Sequence, residues 1–315
     1  MSLTRRMLLK ISFVTSMCIS LLPWLSRREK AFGSSLPDSS EKKSARNQPQ
    51  LGVDNHGFSQ VFWAHNGAPE QNVQEIMKMM GGIESIISRT DIVVLKPNAQ
   101  WWNQGMTNTD AMKGFIDEVL AIENFSGEVI IADNHQFQGD NSRGWSTEIR
   151  NGSYNYNELV HYYQSNGHPN VTKVHWRVAG QTSLPLEGDA QGNRRVDGPQ
   201  DGDGYVWIED NPYVAPSGRI CLMTYPVFTS GYSGITIDLK NGAWKGGSYL
   251  KDRKVRFINF SVLNHHGYYC GVTASVKNLR GVVDMSCGYP GDVPEGTYNT
   301  HHIGVREIIS WKKNK

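Results

Sequence analysis

Short apolar runs alternate with segments of helical period along most of this chain, and that alternation restricts the fold more than any other feature. "DIVVLKPN" (91–98) and "GEVIIADNH" (127–135) are nearly continuous in branched apolar residues, as strands buried on both faces are. "TKVHWRVA" (172–179) and "VRFINFSVL" (255–263) read as further strands, and "SQVFWAHNG" (59–67) reads as the first one. Between them, "PEQNVQEIMKMMGGIESII" (69–87) places Val73, Ile76, Met77 and Met80 on one helical face, and Gly81-Gly82 breaks or caps it. "NTDAMKGFIDEVLAI" (108–122), with Asn108 or Thr109 as its cap, and "NYNELVHYYQSN" (155–166) are the next helices. This order predicts an α/β fold: a mainly parallel sheet with flanking helices.

Residues 180–253 break the rhythm. "LEGDAQGNRRVDGPQDGDG" (186–204) is turn-rich, and its Asp201-Gly-Asp203-Gly lacks the later acidic ligand of a calcium loop, so it reads as a solvated turn. "YVWIED", "RICLMTYPVF" and "GITIDL" are short strands of an insertion or an antiparallel extension, a turn-rich β insertion around 180–253.

Three segments divide the chain. Residues 1–33 hold Arg5-Arg6 in "LTRRMLLK", then the apolar run "ISFVTSMCISLLPWL" (11–25), a pattern similar to a twin-arginine export signal. The run is shorter than the roughly 20 residues of a membrane-spanning helix, and Pro23 interrupts it. Ala31-Phe32-Gly33 supplies small residues for cleavage, although Arg27, Arg28 and Lys30 stand in the way, so an uncleaved signal acting as an anchor is the alternative. Residues 34–55 are a polar, flexible linker, and residues 56–315 form the α/β domain. The expected location is the periplasm or another extracytoplasmic compartment. The expected partners are the twin-arginine export machinery and a small ligand, with no stable membrane span after cleavage.

A net charge of +2 without a basic stripe argues against nucleic acid as a partner. Once Cys18 leaves with the signal, Cys221, Cys270 and Cys287 remain, and no C-x-x-C pair or iron–sulfur motif is present.

Chemistry concentrates where the strands end. Lys96 and Asn98 follow the first apolar run, Asp133 and His135 the second, and His265, His266 and Cys270 the last. Parallel strands connected right-handedly end on one edge, where open α/β sheets carry their sites. Carboxylate and imidazole suit a divalent first-row metal, which makes Asp133, His135, His266 and Cys270 the candidate ligands. His265 and His266 point opposite ways in extended chain, so at most one of the two faces the site. Lys96 and Lys277 are the candidate catalytic residues, and Asn98, Asn278 and Trp101 the candidate ligand-binding ones. There is no G-x-S-x-G elbow, no Walker loop and no G-x-G-x-x-G after a strand.

With these residues placed, the chain resembles the family known as domain of unknown function 362. The likeness lies in "VVLKPN" (93–98), "TNTDAMKGFIDEVL" (107–120), "INFSVLNHHGYYCGVTASVKNLRG" (258–281) and "HHIGVREII" (301–309). Asn264 stands where the family usually has Lys, while His266, Gly271-Val272-Thr273, Lys277, Asn278 and Gly281 match. The resemblance implies no defined reaction. Some members carry ferredoxin-like modules with 4Fe–4S clusters, and members tend to continue into a Gly-rich segment, so the expectation is a C-terminally shortened member.

The functional expectation is an exported protein with a metal- or anion-binding site at the carboxyl ends of parallel strands, acting as a metal-assisted enzyme of undefined reaction. The alternatives are a non-catalytic protein binding a cofactor, metal or glycan, and a truncated, inactive relative. The cofactor is open, with a divalent metal the expectation. Replacing Arg5 and Arg6 together by Lys is expected to leave the protein in the cytoplasm, as fractionation would show; undiminished export would refute the signal assignment.

Overall fold

A computed structural model describes residues 19–20, 58–99, 106–135, 150–178, 195–214, 220–265, 272–273 and 275–283. Its elements are α1 (Pro69–Met79), β1 (Ile92–Pro97), α2 (Thr109–Leu120), β2 (Glu128–His135), α3 (Tyr156–Ser165) and β3 (Val171–Val178). There follow β4 (Gly204–Val214), β5 (Ile220–Thr229), β6 (Thr236–Asp238), β7 (Gly242–Lys245), β8 (Ser248–Tyr249) and β9 (Val255–Phe260). Last come β10 (Asn264–His265), β11 (Val272–Thr273) and α4 (Ser275–Asn278).

The parallel sheet runs β9-β1-β2-β3, with Ile258 beside Leu95 and Leu95 beside Ile131. Alternation along each strand gives it two apolar faces. Val93, Leu95, Val129, Ile131 and Ile258 face a core shared with α1, α2 and α3. Ile92, Val94, Ile130, Ala132 and Trp176 face the opposite way, onto Tyr205, Phe228, Ile237 and Ala243 of a second sheet. That second sheet is an antiparallel meander, β4-β5-β6-β7-β8. The expected β insertion is therefore a full layer: it removes from water the face that the helices leave bare. The fold is three layers, helices on parallel sheet on antiparallel sheet.

Local chemistry sets the helix limits. Asn108 is the cap of α2, its Oδ1 accepting from the Asp110 and Ala111 amides, and Asn155 with Glu158 makes a reciprocal capping box on α3. Gly81 and Gly82, both at positive φ, end the helical run that begins with α1. The expected strand at 59–67 is absent; that stretch is irregular, and Phe58, Val61 and Trp63 are exposed. Among the described residues no strand runs beside it beyond an isolated bridge at Ser59, and Phe62 packs instead on the helix-side core. At the outer side of β9, Ile19–Ser20 pairs antiparallel with Asn259 and Phe260; this pair of residues lies in the apolar run read as an export signal.

Polar clasps tie the amino edge of the sheet. Asp91 is held by Arg256 Nε at 2.7 Å and accepts from the Ser88 amide. Glu128, wholly buried at the start of β2, accepts from the hydroxyls of Ser230 and Ser233, which joins the two sheets. Burial pushes the Glu128 carboxyl up; the two hydroxyls, and the charges of Arg253 and Lys245, only partly offset it. A raised folded-state value means the folded protein holds this proton more tightly than the unfolded chain does. The wild type is therefore expected to gain stability relative to Glu128→Gln as pH falls from neutrality towards the ordinary value of 4.5. Urea unfolding of both proteins across that range checks this, and parallel curves would contradict it.

Candidate functional site

The order of the sheet marks one place on its carboxyl edge. The chain steps from β1 to β2 to β3 in one direction, through helices on one face, then returns through the antiparallel layer to place β9 on the other side of β1. Strand order therefore reverses between β1 and β9, and in open α/β sheets the crevice at such a reversal is where ligands sit.

Lys96 of β1 and Asn259 of β9 are register partners beside this reversal, and both are buried. The Lys96 ammonium lies 2.7 Å from Asp133 Oδ1, and both side chains are out of contact with water. It also donates to Pro97 O at 2.6 Å and to Asn278 Oδ1 at 2.9 Å. A lysine ammonium has three donors, and all three are engaged. Asp133 Oδ2 accepts from the Ala99 amide at 2.9 Å, so the carboxylate is held on both oxygens. Asn278 donates to Lys96 O at 3.0 Å and to Asn259 Oδ1 at 2.7 Å while its own oxygen receives the ammonium, which fixes the orientation of its carboxamide.

Gly281 closes the top. A Cβ on it would lie 2.1 Å from Asp133 Oδ1 and 2.6 Å from Lys96 Nζ, so the backbone passes directly over the ion pair and only glycine fits. Below, Thr107 accepts from the Asn98 amide at 2.8 Å and donates to Phe260 O at 2.9 Å, which ties the ends of β1 and β9 to the start of α2. Tyr156 is buried beneath; burial first, then the Asp133 charge, push its hydroxyl well up.

Burial pulls the Lys96 ammonium down, and the Asp133 charge and hydrogen bond oppose this. A lysine in this condition, once in reach of a substrate, suits proton abstraction or nucleophilic attack.

The candidate residues named from sequence separate into four groups. Lys96, Asp133 and Asn278 come together, although Lys96 and Asn278 are 182 positions apart. Asn98 and Lys277 are half-buried at the margin. His135 ends β2, where the pairing with β3 shifts register between Asp133 and His135. Trp101, His266 and Cys270 lie outside the described residues. Asn264 pairs with Thr273 and His265 with Val272. Among the described residues, no three His, Cys, Asp or Glu side chains are grouped to hold a metal.

Three participants were not among the sequence candidates. Asn259 interrupts an apolar strand, "VRFINF", at a buried position, and Gly281 lies in the motif of the family resemblance. His175, buried on β3, is the register partner of Asp133. A polar residue near the end of a buried strand is the signal that Asn259 and His175 share with Lys96 and Asp133. A mainly apolar cleft nearby, lined by Val73, Ile76, Thr107, Ala111, Phe260 and Ser261 among others, contains none of the candidate residues.

The chain matches no family model, no curated protein and no solved structure.

Removing one member of a buried pair leaves the other charged and dry, which costs about 3–5 kcal/mol. Lys96→Met is expected to lose stability on that scale, and adding Asp133→Asn to recover most of it, because Asn removes the stranded charge and can still accept from the Ala99 amide. Urea unfolding of the two variants checks this; equal losses would show that Asp133 was not left charged.

Proposed function

We propose that this chain is an exported relative of the domain of unknown function 362 proteins that binds a small ligand at the carboxyl edge of its parallel sheet. The ligand is a divalent metal or an anionic group, and the buried Lys96–Asp133 pair forms the charged floor of the site. One observation carries this reading: two opposite charges are held out of water beside the reversal of strand order, where nothing in the packing of an apolar sheet requires them. Replacing such a pair by apolar residues is often neutral or stabilising, so a fold alone gives little reason to keep it.

The residues that continue from the same edge suit the proposal. Trp101 follows β1, His135 ends β2, and His266 and Cys270 follow β9. His135, His266 and Cys270 offer nitrogen and sulfur donors to a first-row metal, Lys277 offers an anion a positive partner, and Trp101 offers a flat ligand a stacking face. Metal-assisted catalysis is the activity proposed for this set, with Lys96 as the base. No described helix is long and apolar enough to cross a membrane.

A second reading has its own support. All three ammonium donors of Lys96 are satisfied internally, as in a structural fastener. The chain would then be a binding protein without catalysis, or an inactive relative.

Elemental analysis of the whole chain purified after export, with calorimetric titration of inorganic phosphate, separates the readings. Stoichiometric metal, lost in His266→Ala without loss of the cooperative unfolding transition, is the expected result. Absence of both metal and phosphate binding would leave the fastener reading standing.

A further inference from the structure

The binding reading has a consequence at Lys96, because the pair that forms the floor of the site is covered. Among the described residues, what covers it is short: α4, four residues long, followed by a single 3-10 turn, Leu279–Gly281. Its hold on the sheet is partly polar. Asn278 makes three hydrogen bonds to Lys96 and Asn259, and Gly281 lies against Asp133 and Lys96. Among its described side chains two apolar groups anchor it: Val283 is buried, and Val282, half-buried, packs against the core between the two sheets. Segments with few buried apolar contacts open at low free energy, well before the whole molecule unfolds. The charges beneath favour opening further, since lifting the cover returns an ammonium and a carboxylate to water, which an apolar plug would not do.

The carboxamide of Asn278 also has a defined complement. It faces one donor, Lys96 Nζ, and two acceptors, Lys96 O and Asn259 Oδ1. A group replacing it needs one accepting oxygen and two donated hydrogens, which describes a primary carboxamide. A carboxylate would meet two acceptors with no hydrogen to offer them.

We propose that residues 275–283 are a displaceable strap, and that Asn278 occupies, in the closed form, the position that a ligand's primary carboxamide takes when the strap lifts. This rests on the binding reading and adds to it both a gate and a ligand group. Lys96 and Asp133 are then reached by local opening of the strap, without unfolding of the sheet.

Native-state reductive methylation of the full chain, read at Lys96 by mass spectrometry over a series of urea concentrations, tests the gate. Lys78, with a side chain 79% exposed, is the control for reagent activity. Local opening predicts a Lys96 rate that stays flat at low urea and joins global unfolding only near the transition. A rate that follows global unfolding from zero urea upward overturns the proposal. That result leaves metal or phosphate binding at the outer strand ends untouched, so the two readings fail separately.

Asn278→Ala tests the ligand group. It is expected to raise the flat rate about tenfold or more, the effect of losing about 1.4 kcal/mol of closure. Acetamide is expected to slow labelling of this variant again, and acetate at equal ionic strength to leave it unchanged. An unchanged flat rate in Asn278→Ala, or equal protection by acetate, overturns the assignment of the carboxamide position.

Discussion

A lysine ammonium and an aspartate carboxylate 2.7 Å apart and out of reach of water impose conditions on everything around them. Each charge loses its hydration, and the attraction between them offsets that loss only when the remaining hydrogen-bonding capacity is also filled. The carboxylate therefore needs the Ala99 amide, and the ammonium needs Pro97 O and Asn278. Asn278 in turn needs acceptors, which Lys96 O and Asn259 provide. The chain after β9 must come back over the sheet to deliver Asn278, and it must carry glycine at 281 to pass. One ion pair thus accounts for a buried asparagine on β9, a glycine on a turn, and the polar part of the docking of the segment that carries Asn278.

The sheet that carries the pair owes its form to a different constraint. Strands with apolar residues at successive positions, such as Ile92 through Leu95, bury both faces, so one layer of helices cannot be enough. The connections from β1 to β2 to β3 turn the same way and place α2 and α3 on one face, where α1, which precedes β1, joins them. The antiparallel layer supplies Tyr205, Phe228, Ile237 and Ala243 to the other. Reaching that layer and returning from it is what sets β9 beside β1 and produces the reversal of strand order. The long excursion in sequence and the location of the candidate site are therefore one topological fact.

Periodicity showed the strands and helices of the parallel half because their burial is two-sided or one-striped, and both patterns survive in sequence. Val73, Ile76, Met77 and Met80 mark one face of α1 and are buried in the helix-side core. The stretch at 59–67 misled because β-favouring composition reports on side chains and says nothing of whether a neighbouring strand exists. The antiparallel strands were legible as strands, but their role as a layer was not, since the residues that meet Trp176 and Ile130 come from positions far away in sequence. At the site, Lys96 and Asp133 stood out as charges ending apolar runs. Asn278 was named for its neighbour Lys277 and for a family motif. Its bonds to Lys96 and Asn259, which join positions remote in sequence, could not be read from local pattern.

The two edges of the sheet show why burial of charge alone does not mark a site. At the amino edge, Asp91 meets the guanidinium of Arg256, whose side chain is 35% exposed, and Glu128 meets serine hydroxyls that join two layers. These clasps connect elements that are adjacent for other reasons, and Arg256 keeps part of its hydration. At the carboxyl edge, both charges are dry, and the described cover is a short strap with two apolar anchors, Val282 and Val283. The amino-edge groups hold together elements already packed, while the carboxyl-edge pair helps hold a short element that Val282 and Val283 also anchor. A charge pair in that position couples the solvation of the sheet edge to the position of the strap, so any ligand that satisfies Lys96 and Asn259 as well as Asn278 does changes which state is stable.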